Sequence, residues 1–442
     1  MTLDPEFSKQ TTDLIQQTLE LYKSAGASPR IGETWECGNI GDFLCGFFVG
    51  EMVGSALSAF QIALVIAVGI FIFRKIASKE LSFYFYGLEM EYLVFLAIIF
   101  FSLIYSPERD EGLFDATRYI VLIGLTYLIY NSVNTLKELK IICYATVFAA
   151  CVVAIPSLVE SILNPEVAAF NYINEGKKII RSSGAERDPN IFGSNFILPI
   201  MLLVAFIGEA KTNKKKIILF CISGILIGAV LLTYSRSTWV ALFFGITIII
   251  LYQRKFDFII YGFIVLAIVF LGSEGVRNIV FSVGDRVVDI FAGTSEDSSR
   301  FRLILLETSI YMWLDSYTFG IGYQGFSTVF QEYHPPQEVG GVYEPHNEFY
   351  KILAELGLIG FLVYLFILWK TLKIGWNSVK NYQKERKSTA ISLALFASFF
   401  AYIIFFQFLG GMQLHSILTI NIGLLFCASK FVGKSEETEL AV

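Results

Sequence analysis

Charge is in short supply along this chain. Only 17% of its 442 residues are Asp, Glu, Lys or Arg, where soluble domains carry about 25%. A large soluble core does not explain that deficit, because its surface would still have to be covered by charged residues. Apolar segments of roughly 20 residues, long enough to cross a bilayer, do explain it. A hydrophobic content of 55%, 42 phenylalanines and a mean hydropathy of +0.61 agree with lipid-facing helices. The formal charge of -5 is too small to point to nucleic acid. Histidine is scarce, with only His334, His346 and His415, and no Cys/His spacing of the metal-binding type occurs. No metal and no cofactor is therefore expected. The first residues, MTLDPEFSKQTTDLIQQ, lack the basic start and apolar run of a cleavable signal peptide. Neither an internal repeat nor a low-complexity tract occurs. Cys143, Cys151, Cys221 and Cys427 lie inside apolar segments, whereas Cys37 and Cys45 can pair if the first residues lie outside the cytoplasm.

What is present is an all-α pattern, a polytopic membrane helix bundle. Apolar runs predict spanning helices at about 55–74, 84–105, 115–132, 140–163, 190–208, 217–234, 237–252, 257–272, 353–370, 389–409 and 412–429. That is about eleven transmembrane helices, and the uncharged stretch upstream (Phe43 to Gly50, then Val53 onward) either hides a twelfth or lengthens the first. Basic loops stay cytoplasmic. The clusters Arg74/Lys75/Lys79, Lys137/Lys140, Lys211/Lys214/Lys215/Lys216, Arg254/Lys255, Lys370 to Lys387 and Lys430/Lys434 then fall on one side. Lys177 and Lys178 break the pattern. The division that follows is an extracytoplasmic tail at 1–50, transmembrane helices at 51–272 and a long extracytoplasmic loop at 273–350. Transmembrane helices at 351–429 and a cytoplasmic tail at 430–442 complete it. The chain has no lysine from Phe256 to Tyr350, as suits an exported loop. Within that loop FRLILLETSIYMWL reads as an amphipathic helix lying against the membrane.

Four features on the outward side carry candidate chemistry. They are RSSGAERDPNIFGSN from Arg181, the polar interruption Tyr234-Ser235-Arg236-Ser237-Thr238, Ser298-Ser299-Arg300-Phe301-Arg302, and PHNEFYKILAELGLIG from Pro345. A guanidinium stays charged at any relevant pH and its fork of donors fits phosphate. Near lipid it must be paired, solvated in a cavity or bound to an anion. Arg181, Arg236 and Arg300, far apart in sequence on one face, therefore suggest a shared anion pocket, though snorkelling to headgroups is the bland alternative. Arg187 reads first as a pair with Asp188. His346, ahead of a helix, suits a general base near neutral pH; the plain alternative is that His346-Asn347 only starts and caps that helix. His415, in an apolar run, reads as a hydrogen-bonded packing residue.

The stretch His346-Asn347, nine residues, Gly357, two residues, Gly360 resembles the signature of the O-antigen ligase and polymerase superfamily. Arg181-Ser-Ser-Gly184 before Pro189-Asn190, the Ser235-Arg236 pair closing one helix, and Ser299-Arg300 ahead of Gly320-Ile-Gly322 are similar to that family's pattern in the same order. The match spans roughly 175–365; the first fifty residues have no counterpart. The resemblance implies a bundle like that of lipid-dependent glycosyltransferases, in a bacterial cytoplasmic (inner) membrane, with its active site facing outward. It implies an undecaprenyl-pyrophosphate-linked glycan as donor, a glycan or lipid acceptor hydroxyl, membrane lipids as surroundings, and a single displacement that inverts the anomeric carbon. In that scheme His346 is the base, Arg181, Arg236 and Arg300 stabilise the departing pyrophosphate, and Arg302, Arg187 and Glu348 are second-tier candidates. Gly357 and Gly360 read as packing positions that let helices approach closely. A ligase, a polymerase and a protein-glycosylating enzyme all fit, with the spacing leaning to the ligase. From another class, a transporter of an anionic solute or lipid would need charges deep in several helices, and Glu89 with Glu91 are the only acid pair that the sequence reading sets inside a span.

Overall fold

A computed structural model describes residues 68–73, 75–77, 83–163, 169–174, 177–182, 184, 186, 188–255, 297–333, 344–384, 389–412 and 415–432. The expected span at 257–272, most of that at 55–74, the 1–50 tail with Cys37 and Cys45, and Arg187 lie outside these residues.

Apolar runs give α1 (Glu89–Ser102), α2 (Arg109–Ser132) and α3 (Leu136–Leu163). A hairpin follows, β1 (Ala169–Asn174) and β2 (Lys177–Ser182). Its strands are antiparallel and pair Phe170 with Arg181. This hairpin is a small departure from the all-α expectation. It uses the β-branched and aromatic residues of AFNYIN and KKIIRS, which suit a pleated pair. Next come α4 (Pro189–Ser194), α5 (Ile197–Glu209), α6 (Asn213–Leu232) and α7 (Arg236–Gln253), then α8 (Asp297–Asp315) and α9 (Phe326–Tyr333). The chain ends its described part with α10 (Glu348–Lys384), α11 (Ala390–Phe405) and α12 (Ser416–Lys430).

Among the described residues six helical stretches are long and apolar enough to cross a membrane: α2, α3, Pro189–Glu209, α6, α7 and α10; α11 and α12 are shorter apolar helices. The Pro189–Glu209 stretch is 72% buried inside the protein, against 22% for α3 and 28% for α6. The first is therefore a central strut and the other two are the lipid-exposed rim. α11 packs on α5, α7, α10 and α12, and α12 packs on α2. The core is continuous across these helices, with Phe196, Leu202, Phe399, Tyr402 and Phe426 almost fully buried.

Two details revise the sequence reading. Glu89 and Glu91 do not sit within a span but open α1. Glu89 accepts the Tyr86 and Gly87 amides, and Glu91 meets Lys370 of α10 at 2.5 Å. An acid at a helix start satisfies free amides and complements the dipole, so this pair is structural. α10 is also longer than one span: its 37 residues would reach about 55 Å at 1.5 Å each. It breaks at Gly357 (φ 63, ψ -166), a conformation open essentially to glycine alone.

Candidate functional site

The site begins where α10 begins. Asn347 Oδ1 accepts the amides of Phe349 at 2.9 Å and Tyr350 at 3.2 Å, the action of a helix cap. Its amide nitrogen donates to Gln407 O at 2.9 Å, which ties the cap to the end of α11. Glu348 is wholly buried, and its Oε2 accepts from the amides of Gly411 at 2.5 Å and Met412 at 3.2 Å. Its own amide donates to Phe406 O at 3.0 Å. The end of α11 and the α11–α12 connection thus grip the cap and the residue after it, and His346 precedes this braced start with its side chain exposed.

A second chain segment crosses α10 at its break. Residues 317–322 run along it with backbone bonds in both directions. Leu358 N donates to Tyr317 O and Ile321 N to Ala354 O, each at 3.0 Å; Gly322 N donates to Glu355 O at 3.0 Å and Ile359 N to Thr318 O at 3.3 Å. A β-carbon on Gly357 would lie 2.5 Å from the Thr318 carbonyl, and one on Gly320 would run into the Glu355 carbonyl. These glycines admit a crossing loop, not a neighbouring helix as the sequence reading had it for Gly357. The same segment is held to the α1–α2 turn by Ser106 Oγ donating to Tyr323 O at 2.8 Å.

The crossing carries a buried polar chain. Lys351 Nζ donates to Gln324 Oε1 at 2.9 Å, and Gln324 Nε2 donates to Asp115 Oδ2 at 2.5 Å. Asp115 in turn pairs with Arg118 at 3.2 Å. Glu355 faces the amide of Phe326 at 3.4 Å. Gln324 adopts φ 61, in the left-handed region that residues other than glycine seldom occupy. Asp115, Glu348, Lys351 and Glu355 are all at most 8% exposed. The sequence reading missed Asp115, Gln324, Lys351 and Glu355. A signal was available for two of them: Glu348, Lys351 and Glu355 recur at helical spacing on one face of an apolar helix.

The candidate residues come together in part. Arg302, one turn into α8, acts electrostatically on His346, as do Asp188 and Glu344. Surrounding protein partly strips water from His346 and, with Arg302, holds its pKa below the usual imidazole value; Asp188 and Glu344 oppose this. Asp188 caps α4, accepting the Asn190 amide at 2.5 Å, with Pro189 at the first helical position. Arg236 is exposed and opens α7, so the Ser235-Arg236 pair starts a helix instead of closing one. Ser235 caps α7 through the Thr238 amide at 3.4 Å, and Tyr234 makes the tight reversal at φ 52. This turn backs onto α4: a β-carbon on Gly193 would meet Thr238 Oγ1 at 2.8 Å. Arg181 lies on β2 and Arg300 in the first turn of α8, as backbone positions. Glu348 is too deeply buried to meet a substrate and braces the motif instead.

A second histidine pairs with a serine but does not activate it. Ser194 Oγ and His415 Nε2 are 2.8 Å apart, and His415 Nδ1 accepts the Leu418 amide at 3.2 Å. An Nδ1 that accepts leaves the proton on Nε2, so the ring donates to Ser194. Ser194 donates onward to Ile191 O at 2.7 Å. His415 is a buried, hydrogen-bonded packing residue, as expected.

Residues 221–365 match the family model described as O-Antigen ligase, Wzy_C. The matched stretch runs from α6 through the crossing and into α10, and contains the Ser235-Arg236 turn, Arg300, Arg302, Gln324, His346 and Lys351. No curated protein matches the sequence. A solved structure reported as "Structural coordination of polymerization and crosslinking by a peptidoglycan synthase complex" is similar at a TM-score of 0.45 and 11% identity, over 80% of this chain and 100% of that chain.

Proposed function

From a membrane helix bundle whose residues 221–365 match the family model described as O-Antigen ligase, we propose that the protein transfers a glycan from undecaprenyl pyrophosphate to an acceptor hydroxyl. In this reading it does so at the outward face of the bacterial cytoplasmic membrane, without a metal ion, and acts as a ligase. The observation that carries the proposal is that Arg236, Arg300, Arg302 and His346 all fall within the matched residues 221–365; Arg302 and Asp188, from two distant parts of the sequence, also act electrostatically on His346.

The chemistry assigned to these groups is a single displacement. The acceptor oxygen bonds to the anomeric carbon, and the bond from that carbon to the pyrophosphate oxygen breaks with its electron pair leaving on the pyrophosphate. His346 takes the hydroxyl proton. Its lowered pKa keeps the imidazole neutral, the form a base requires, and its exposure lets the proton pass on to water. Arg302, Arg236, Arg300 and Arg181 supply positive charge for the departing pyrophosphate. Arg187 and Glu348 have supporting parts, Glu348 by bracing the start of α10.

The test is the glycan profile of cells carrying His346→Ala, with carrier-linked and surface-attached material separated by size. Long chains that accumulate on the carrier and never reach the surface support ligation with His346 as base. Collapse to single repeats would reassign the protein to polymerisation. An unchanged profile at normal protein level removes His346 as the base.

A further inference from the structure

The buried bridge Asp115–Gln324–Lys351 is not used by the chemistry above. It nevertheless joins α2, the crossing segment and α10 through one side-chain amide, with both ends of that amide engaged. The amide belongs to a residue at φ 61, between Gly322 and Gly325. A left-handed position such as this would take a glycine without strain. A glutamine there points to a use for its side chain, since strained conformers persist where the surroundings hold them for a purpose.

The mechanical consequence follows from the chain path. α8 runs directly into the clamped segment, and Gly320 N donates to Ser316 O at 2.8 Å just past its end. Leu305 and Met312 of α8 pack with Phe326, Phe330 and Ala354 around the same crossing. Arg302 lies toward the other end of α8, roughly 20 Å of helix away at 1.5 Å per residue. A tilt of about 5° at the clamp would move Arg302 by roughly 2 Å over that length. Displacements near 1 Å in a catalytic arrangement are known to cost up to about a hundredfold in rate.

We propose that Gln324, held between Lys351 and Asp115, is a positioning residue that sets where Arg302 stands relative to His346, and thereby the rate of transfer. This rests on the function proposed above. Three charged groups face His346: Arg302 from α8, Asp188 from the cap of α4, and Glu344 on its own segment. Of the three, only Arg302 is carried by α8, which leads into the crossing segment, so its displacement relative to His346 has a sign that can be read.

The experiment uses the full chain in lipid nanodiscs with isotope-labelled histidine. The chain has three histidines, and His346 is assigned by the signal lost in His346→Gln. Two variants remove the bridge: Gln324→Gly suits the backbone, and Gln324→Asn keeps an amide one methylene too short to span. The expected result is that both raise the His346 titration midpoint, as Arg302→Gln does, by roughly half a pH unit for one partly screened charge. In cells both should lower glycan transfer per molecule of protein about tenfold or more. If Arg302→Gln raises the midpoint and the Gln324 variants leave it unchanged, the bridge does not position Arg302. If the midpoint moves while transfer stays normal, the bridge has no part in transfer. Normal transfer in His346→Ala would sink the function reading instead, and the titration would remain the judge of the bridge.

Discussion

Substituting Gly357 by alanine tests the crossing on which the site is built. Its φ of 63 and ψ of -166 fall in a region where a residue with a β-carbon is strained by roughly 1–3 kcal/mol. The added carbon would also stand 2.5 Å from the Thr318 carbonyl carbon and oxygen and 2.6 Å from Gly320 N, all backbone atoms without a flexible side chain to yield. Relief requires the 317–322 segment to move off α10, which strains the backbone bonds between Tyr317–Gly322 and Ala354–Ile359. Loss of two such bonds, at about 1 kcal/mol each, brings the expected destabilisation to about 3–5 kcal/mol. At roughly 2 °C per kcal/mol in a larger protein, the melting temperature should fall by about 6–10 °C. A thiol-reactive dye reports this well, because Cys143 and Cys427 have no exposed surface until the bundle opens. Gly124→Ala is the control: nothing lies within 4 Å of its β-carbon position in exposed α2, and alanine there should be neutral or stabilising by up to about 1 kcal/mol. Should Gly357→Ala melt with the wild type, the close approach of loop and helix is wrong, and the geometry argued for Gln324 falls with it.

Other outcomes follow from the same contacts. Because the His346 pKa is lowered, its neutral form persists as pH falls past the usual value near 6.5. Transfer should therefore hold until below that pH. Arg302→Gln should move the acid limb of a pH–rate profile upward and Asp188→Asn should move it downward; shifts of the same sign would contradict the charge assignment. Ser194→Ala should cost about 1–3 kcal/mol in stability by orphaning His415 Nε2 while leaving glycan transfer intact, and a loss of transfer at full stability would reopen a nucleophilic role. A double-mutant cycle on Glu91→Gln and Lys370→Met, read by melting temperature, should show a coupling of about 1 kcal/mol, as suits a pair that is partly exposed; no coupling would mean the contact is incidental.

Most spans were legible because a bilayer imposes one length and one polarity on each of them. The expected helices at 115–132, 217–234, 237–252 and 389–409 overlap α2, α6, α7 and α11 closely. The start of α10 was legible because Asn347 announces it as a cap, whereas Asp188 and Ser235, which cap α4 and α7, were read as a partner for Arg187 and as the close of the preceding helix. The errors arose where tertiary contacts decide. Apolar residues on both sides of Glu89 hide the fact that α1 starts at that acid, which caps two amides. Gly357 and Gly360 in an apolar run suggest helices packing closely, and only the partner's identity, the loop 317–322, explains the left-handed break. Gln324 was invisible for a deeper reason: its bridge joins positions 209 and 27 residues away, and nothing local to Gln324 points to either partner. His346, by contrast, stood out as a candidate from its rarity and its neighbours, whereas the electrostatic influence of Arg302 on it required the fold.

The placement of buried charge bears on the choice between a transferase and a transporter. A translocation path needs ionisable groups distributed through the depth of several helices, free to exchange partners as the solute passes. Among the described residues, the buried charged side chains are Asp115, Glu348, Lys351 and Glu355. Three share the first part of α10, before its break, and the fourth joins them through Gln324. Their bonds run to backbone amides, to the side-chain amide of Gln324 and, for Asp115, to Arg118 on its own helix; they hold chain segments in register and offer no passing anion a vacant seat. A cluster so committed costs stability when any partner is withdrawn, and so it favours a fixed geometry over an exchanging one. That is the property a single displacement needs, because its base and its anion-stabilising arginines must stand still relative to each other while the substrate alone changes.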